Sequence, residues 1–250
     1  MAMPLRLLTG LFSQRPAYPV SPRYLPVGVA TFLQQTHAQG KVLNYPDSGG
    51  YLQWMLYPKY KIFMDMETPF LFKEEDMQLI RDAMLYESAL DALLTVYHPE
   101  FVSVPIGISQ FPQLMKKNGA YAPVFFDDAE VLYADRRQYP TLARDFELKA
   151  VDPFELAATP PKRYFEGDAG RNKLPHDRAG TMEELKRILT VYPDCGLANY
   201  FAGWVYQEEK DFSRALEHGR RLIRQFPEAP EGYQIADASH RRVDREARHR

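Results

Sequence analysis

YPDCGLANYFAGWVYQEEKDFSRALEHGRRLIRQFP, the stretch at residues 192–227, predicts two helices that pack against each other. Pro193 and Pro227 lie 34 residues apart, and each follows an aromatic residue at the end of a predicted helix. The second helix opens at Asp211. On the first helix, residues that share one face recur every four positions, at Ala198, Ala202 and Tyr206. The C-terminal quarter of the chain is therefore predicted to consist of paired helices.

This pattern resembles the tetratricopeptide repeat, a helix–turn–helix unit with a period of about 34 residues. Asp211 and Phe212 precede Ala215-Leu216, as an acidic–aromatic pair does in the second helix of that family. Ala202 and Ala215 occupy the small positions where the two helices of such a repeat approach closely. A generic helical hairpin with coincidental prolines is the alternative interpretation.

The resemblance implies a protein partner, because repeats of this family bind peptides in a concave groove. The candidate partner-binding residues are Tyr200, Tyr206 and Arg220. Helices at residues 183–192 and from Glu231 onward would belong to incomplete neighbouring repeats. Since one complete repeat cannot bury both of its faces, we expect it to pack against the rest of the chain or against another chain.

Upstream, short strand-like segments alternate with segments of helical period. The predicted helices cover residues 27–33, 51–56, 74–85, 87–97, 109–117 and 139–146. The predicted strands cover residues 41–44, 61–65, 101–106, 121–126 and 129–134, and the last two flank a turn at Asp127-Asp128. The predicted fold class is α/β: a small mixed-sheet domain at residues 16–150, a linker or long loop at 151–180, and an all-α, tetratricopeptide-like helical hairpin region at 181–250.

The first predicted strand ends in a polar segment that leads into a helix. An acidic side chain there stands beside two glycines, and such a turn lies at the carboxyl edge of a sheet, where open α/β sheets bind ligands. The candidate ligand-binding residues are Asn44, Asp47, Ser48, Gly49, Gly50, Tyr51 and Asp65. The alternative is an ordinary strand–turn–helix connection with a capping Asp or Ser.

The run at residues 44–65 resembles the soluble C-terminal region of bacterial membrane glycosyltransferases of the polyprenyl-phosphate-sugar-dependent, mannosyltransferase-like (GT-C) class. The positions that match are Asn44, Gly49, Gly50, Tyr51, Leu52, Trp54, Leu56, Pro58, Tyr60, Phe63 and Asp65. The resemblance covers about residues 16–150. In such enzymes the catalytic carboxylates and the lipid-phosphate site belong to the membrane domain. The resemblance therefore implies a non-catalytic accessory module with no cofactor, bound to a membrane glycosyltransferase domain or to its acceptor.

The chain departs from related patterns at two places. Tyr45 and Pro46 stand where the more distant oligosaccharyltransferases have two tryptophans, so binding of an acceptor sequence by this loop is not implied. Met66 and Glu67 replace a more usual Gly-Arg pair. A free-standing adaptor that binds proteins through its helical repeat is the alternative function.

Composition excludes several other functions. A net charge of −2 gives no general attraction for nucleic acid, and the basic segment at residues 240–250 is typical of a solvated helix end. Cys195 is the only cysteine and the histidines lack metal-binding spacing, so we expect neither a metal site nor a nucleophile.

No apolar run is long enough to span a membrane, and residues 1–12 do not form a standard export signal. The expected location is extracytoplasmic for a part of a membrane protein, and cytoplasmic otherwise.

Overall fold

The computed structural model describes residues 24–66, 72–167 and 175–248, which contain one mixed five-stranded sheet. The strands are β1 (Gly40–Asn44), β2 (Tyr60–Ile62), β3 (Phe101–Pro105), β4 (Tyr121–Phe126) and β5 (Glu130–Asp135), in the spatial order β2-β1-β3-β5-β4. The first strand runs parallel to β2 and β3, whereas β5 is antiparallel to both β3 and β4. The predicted mixed α/β fold is therefore confirmed. The residues predicted at 16–23 lie outside the described part.

Helices pack on this sheet and bury its apolar faces. They are α1 (Val27–Gln35), α2 (Pro46–Leu56), α3 (Glu74–Ala83), α4 (Glu87–Tyr97), α5 (Phe111–Asn118) and α6 (Pro140–Phe146). The predicted apolar stripe of α1 is buried at Val29, Ala30, Phe32 and Leu33. Phe32 stacks on Phe125 of β4 with ring centroids 4.8 Å apart, which joins α1 to the edge of the sheet.

Four longer helices form the C-terminal part of the described chain. They are α9 (Arg178–Val191), α10 (Gly196–Glu208), α11 (Phe212–Gln225) and α12 (Pro230–Arg248). Consecutive helices run antiparallel and approach closely at small residues: Gly203 of α10 faces His218 of α11, and Gly219 of α11 faces the backbone of Ala236 in α12. The Gln207 amide of α10 donates to the carbonyl of Ile235, 3.0 Å away, so α10 also contacts α12. We refer to α9–α12 as the helical array.

The segment predicted as a linker or long loop contains two short helices, α7 (Pro153–Ala158) and α8 (Pro161–Glu166). A proline stands at the first position of each helix, where its missing N–H has no cost. Asp152 caps α7 by accepting from the backbone N–H groups of Phe154 and Glu155. The segment predicted as a linker or long loop therefore has helical structure at residues 153–158 and 161–166, while the division into three domains stays a prediction.

Two carboxylates connect the helical array to the α/β part. Glu184 of α9 accepts hydrogen bonds from three consecutive backbone N–H groups at residues 149–151, at 2.8–3.1 Å. Asp128, in the β4–β5 turn, accepts from the N–H groups of Gly196 and Leu197 at the start of α10, each at 2.7 Å. A carboxylate that satisfies free N–H groups and faces the positive end of a helix dipole is a strong anchor. These two contacts fix the array against the sheet.

Candidate functional site: a groove between the sheet and the helical array

Asn44, the first of the predicted ligand-binding residues, is fully buried at the end of β1. Its Oδ1 accepts from the N–H groups of Phe63 and Met64, and its Nδ2 donates to the carbonyls of Met64 and Tyr45. The amide therefore uses its two donors and two acceptor positions within the protein. Asn44 locks the chain after β2 against β1 and has no polar group left for a ligand.

The polar segment after Asn44 is helical and does not form an open glycine turn. The turn predicted there is therefore wrong. Pro46 occupies the first position of α2 and Tyr45 is extended before it, a combination that starts a helix. Asp47 is exposed in the first turn, where its charge suits the helix dipole, and Ser48 and Gly49 are buried. Gly50, Tyr51 and Asp65 are partly buried. None of the seven predicted residues lines the groove defined below.

A cavity of about 710 Å³ lies between the sheet and the helical array. Its walls come from the loop after β3, from α7 and the start of α8, and from the ends of α10, α11 and α12 that face the sheet. The buried apolar residues of its floor are Phe154, Leu156, Leu222 and Phe226. We call this cavity the groove. Its size lies in the range of common ligand sites.

Acidic residues supply the charged side chains of the groove: Asp128, Glu228 and Glu231. The lining residues include no Lys, Arg or His. Burial, with the charge of Glu231 nearby, raises the pKa of Tyr200, which also lines the groove. The groove therefore combines an apolar floor with an acidic, aromatic rim.

The structure brings one of the three predicted partner-binding residues to the groove, namely Tyr200. Tyr206 is buried and stacks on His218, with ring centroids 5.5 Å apart. Arg220 is exposed on α11 and is not a lining residue. Only Tyr200 therefore combines partial exposure with a position in the groove.

Asp128 is one of the groove residues that sequence reasoning missed. The sequence predicts a turn at Asp127-Asp128, and in the structure the two carboxylates of that turn reach different helices. Asp127 accepts from the Val29 N–H of α1 at 3.0 Å, whereas Asp128 binds the start of α10. The sequence pattern identifies the turn, but gives no signal for a helix that begins 68 residues later.

Two carboxyls near this turn are buried. Burial raises the pKa of Glu130 to about 7, against the opposing effect of hydrogen bonds from the hydroxyls of Ser103 and Ser48. Burial likewise raises the pKa of Asp127 to about 7, although three backbone N–H groups donate to its carboxyl. Both groups therefore keep their protons in the folded protein at pH values where the unfolded chain has lost them.

The free energy of unfolding is consequently expected to fall as the pH rises from about 4.5 to about 7 and then to level off. In that interval the folded protein binds more protons than the unfolded chain.

Glu130→Gln removes one of the two groups and keeps a side chain that can hydrogen-bond to the serines. We expect this variant to match the wild type at pH 4.5 and to exceed it by on the order of 2 kcal/mol at pH 8. Urea unfolding followed by circular dichroism across this pH range measures the difference, with the exposed-site variant Glu183→Gln as the control. Parallel curves for wild type and Glu130→Gln would contradict the assignment.

Comparison of the chain with protein families, curated proteins and solved structures found no match. Within the described ranges, no group of three or more His, Cys, Asp or Glu side chains is arranged to hold a metal ion. Among the same residues, no helix combines the length and the apolarity that a membrane span needs.

Proposed function

We propose that this chain is a non-catalytic binding module, the extracytoplasmic accessory domain of a membrane glycosyltransferase, which holds a protein partner in the groove. The observation that carries the binding function is the groove itself. It has an apolar floor and a partly exposed tyrosine, and both the α/β part and the helical array contribute to its walls. Concave apolar sites with a few polar groups at their rim are the usual places for ligands.

The helical array supports recognition of a protein. α10 and α11 form an antiparallel pair, α12 packs against both, and Ala202 and Ala215 are buried where the tetratricopeptide pattern has small residues. Repeats of that type bind peptides in a concave groove. Tyr200 is on α10 and lines the groove.

The run at residues 44–65 supports the glycosyltransferase part of the proposal. Among its matching residues, Asn44, Gly49, Leu52, Leu56 and Tyr60 are buried and hold β1, α2 and β2 together, whereas Trp54 is 74% exposed. Tyr57 follows Trp54 by three residues and is 70% exposed. Two neighbouring exposed aromatic side chains suit contact with another protein body, such as a membrane domain.

Photocrosslinking in cells of the source organism tests this function. With p-benzoylphenylalanine in place of Tyr200, we expect crosslinks to an integral membrane protein of the glycosyltransferase class, because this position faces the groove. The matched control has the same crosslinker in place of Arg220, which is exposed outside the groove, and should not capture that protein. A soluble protein captured from position 200 would instead favour the free-standing adaptor. No product from position 200 would contradict partner binding in the groove.

A further inference from the structure

The charged side chains that line the groove are all acidic, and they lie at its rim. Glu228 and Glu231 flank the start of α12, and Glu231 lies close enough to Tyr200 to influence its ionisation. Glu228 is exposed and Glu231 partly so, which leaves both carboxylates able to receive a cation. A cationic group that enters here meets two carboxylates and the ring of Tyr200.

The helix end at α10 is not available to an anion. The N-terminus of a helix ordinarily attracts negative charge, and α10 begins in the wall of the groove. The N–H groups of Gly196 and Leu197 already bind the Asp128 carboxylate. Because that carboxylate occupies the helix end, an incoming acidic side chain meets like charge instead of free donors.

A ligand that fills the groove must also have an apolar part, because the floor of the groove is apolar. Phe226 and Leu222 are buried beneath the rim, and Leu197 and Ala229 continue the apolar lining towards solvent. At Gly107, on the opposite wall, a methyl group would meet nothing within 4 Å, so the groove is open on that side. A polypeptide segment can place an apolar side chain on the floor, extend past Gly107 and bring a cation to the rim.

We propose that the groove binds a basic, apolar segment of a partner polypeptide, which places an arginine or lysine between Tyr200 and Glu231 and an apolar side chain against Leu197 and Phe226. This inference rests on the binding function proposed above and specifies the chemistry of the partner. The acids select the basic side chain, and the floor selects the apolar one. Since the acids are at the rim, binding should weaken as the ionic strength rises.

Fluorescence anisotropy with two synthetic peptides tests this inference on the full chain. The probes are fluorescein-labelled SLRFLRSG and its acidic counterpart SLEFLESG, in which glutamate replaces both arginines. We expect the wild type to bind the basic peptide at least about tenfold more tightly than the acidic one at low salt. In the double variant Glu228→Gln/Glu231→Gln, affinity for the basic peptide should fall by about tenfold. Glu208→Gln/Glu209→Gln removes the same charge from exposed positions of α10 and its end, outside the groove, and should bind as the wild type does.

Three results would overturn the inference: no binding of the basic peptide, equal binding of both peptides, or an equal loss in the two double variants. Crosslinking from position 200 separates these failures from failure of the function itself. If that crosslink forms but peptide charge has no effect, the groove binds a partner of other chemistry. If the crosslink is also missing, the proposed function fails together with the inference. Circular dichroism on each variant confirms that it is folded.

Discussion

Gly49→Ala is expected to destabilise the protein by about 3 kcal/mol or more, a larger effect than most single substitutions have. A Cβ on Gly49 would lie 2.0 Å from the carbonyl oxygen of Met64 and 2.7 Å from the Cα of Asp65. Both contacts are with backbone, so no side chain can rotate away. The segment after β2 would have to move, and the Asn44 amide that donates to the same Met64 carbonyl would lose its partner.

The matched control for this prediction is Gly107→Ala. Around Gly107 a Cβ has free space, and neither glycine has a positive φ angle, so neither substitution puts alanine in the left-handed region. Chemical unfolding of the two variants compares them directly. Equal stability of Gly49→Ala and Gly107→Ala would show that α2 does not approach the chain after β2 as described.

Glu184→Ala is expected to cost about 3 kcal/mol, because three backbone N–H groups at residues 149–151 lose a charged acceptor. Glu184 is itself buried, and Arg187, 3.6 Å away, would lose a countercharge as well. The variant should also loosen the attachment of α9 to the α/β part. Urea unfolding gives the stability, and limited proteolysis reports the loosening as faster cleavage at residues 148–152.

Glu183→Ala is the control for the Glu184→Ala prediction. Glu183 is the preceding residue on α9 and is exposed, so its loss should change stability by no more than about 0.5 kcal/mol. If Glu183→Ala and Glu184→Ala were equally stable, the carboxylate of Glu184 would not be the anchor between the two halves.

Local patterns in the sequence predict much of the fold. The predicted helix at 87–97 coincides with α4, and the predicted hairpin around Asp127-Asp128 is formed by β4 and β5. These elements carry their signals within a few residues: apolar spacing for the helix, and a turn dipeptide between two apolar runs for the hairpin. The mixed sheet follows from the alternation of such segments.

Two segments contain helices that their composition does not suggest, for a common physical reason. At residues 46–50 and 153–166, prolines, glycines and polar residues predict a turn or a linker, but the structure has helices. Proline at the first helical position is favourable, and Gly49 is required by a contact with the backbone of Met64. Composition alone does not distinguish a residue that breaks a helix from one that begins it or packs it.

The candidate site was the least predictable part of the molecule. Tyr200 was identified from its place on a predicted helix, and it does line the groove. Asp128, Leu156 and Phe226 line it too, but they come from segments far apart in the chain. Their meeting depends on how α9 and α10 attach to the sheet, a long-range contact that no local pattern encodes. Asn44 shows the opposite case. The sequence pattern predicts a ligand contact there, but its side chain hydrogen-bonds to the backbone within the protein.

Hydrogen exchange of the full chain, with and without the basic peptide SLRFLRSG, tests the central claim that the groove between the sheet and the helical array is the binding site. The account predicts slower exchange in three segments that are separate in the chain and line this groove, at residues 106–109, 196–200 and 226–231. Protection confined to the exposed face of α2, or an unchanged pattern at a peptide concentration that saturates the anisotropy signal, would contradict it.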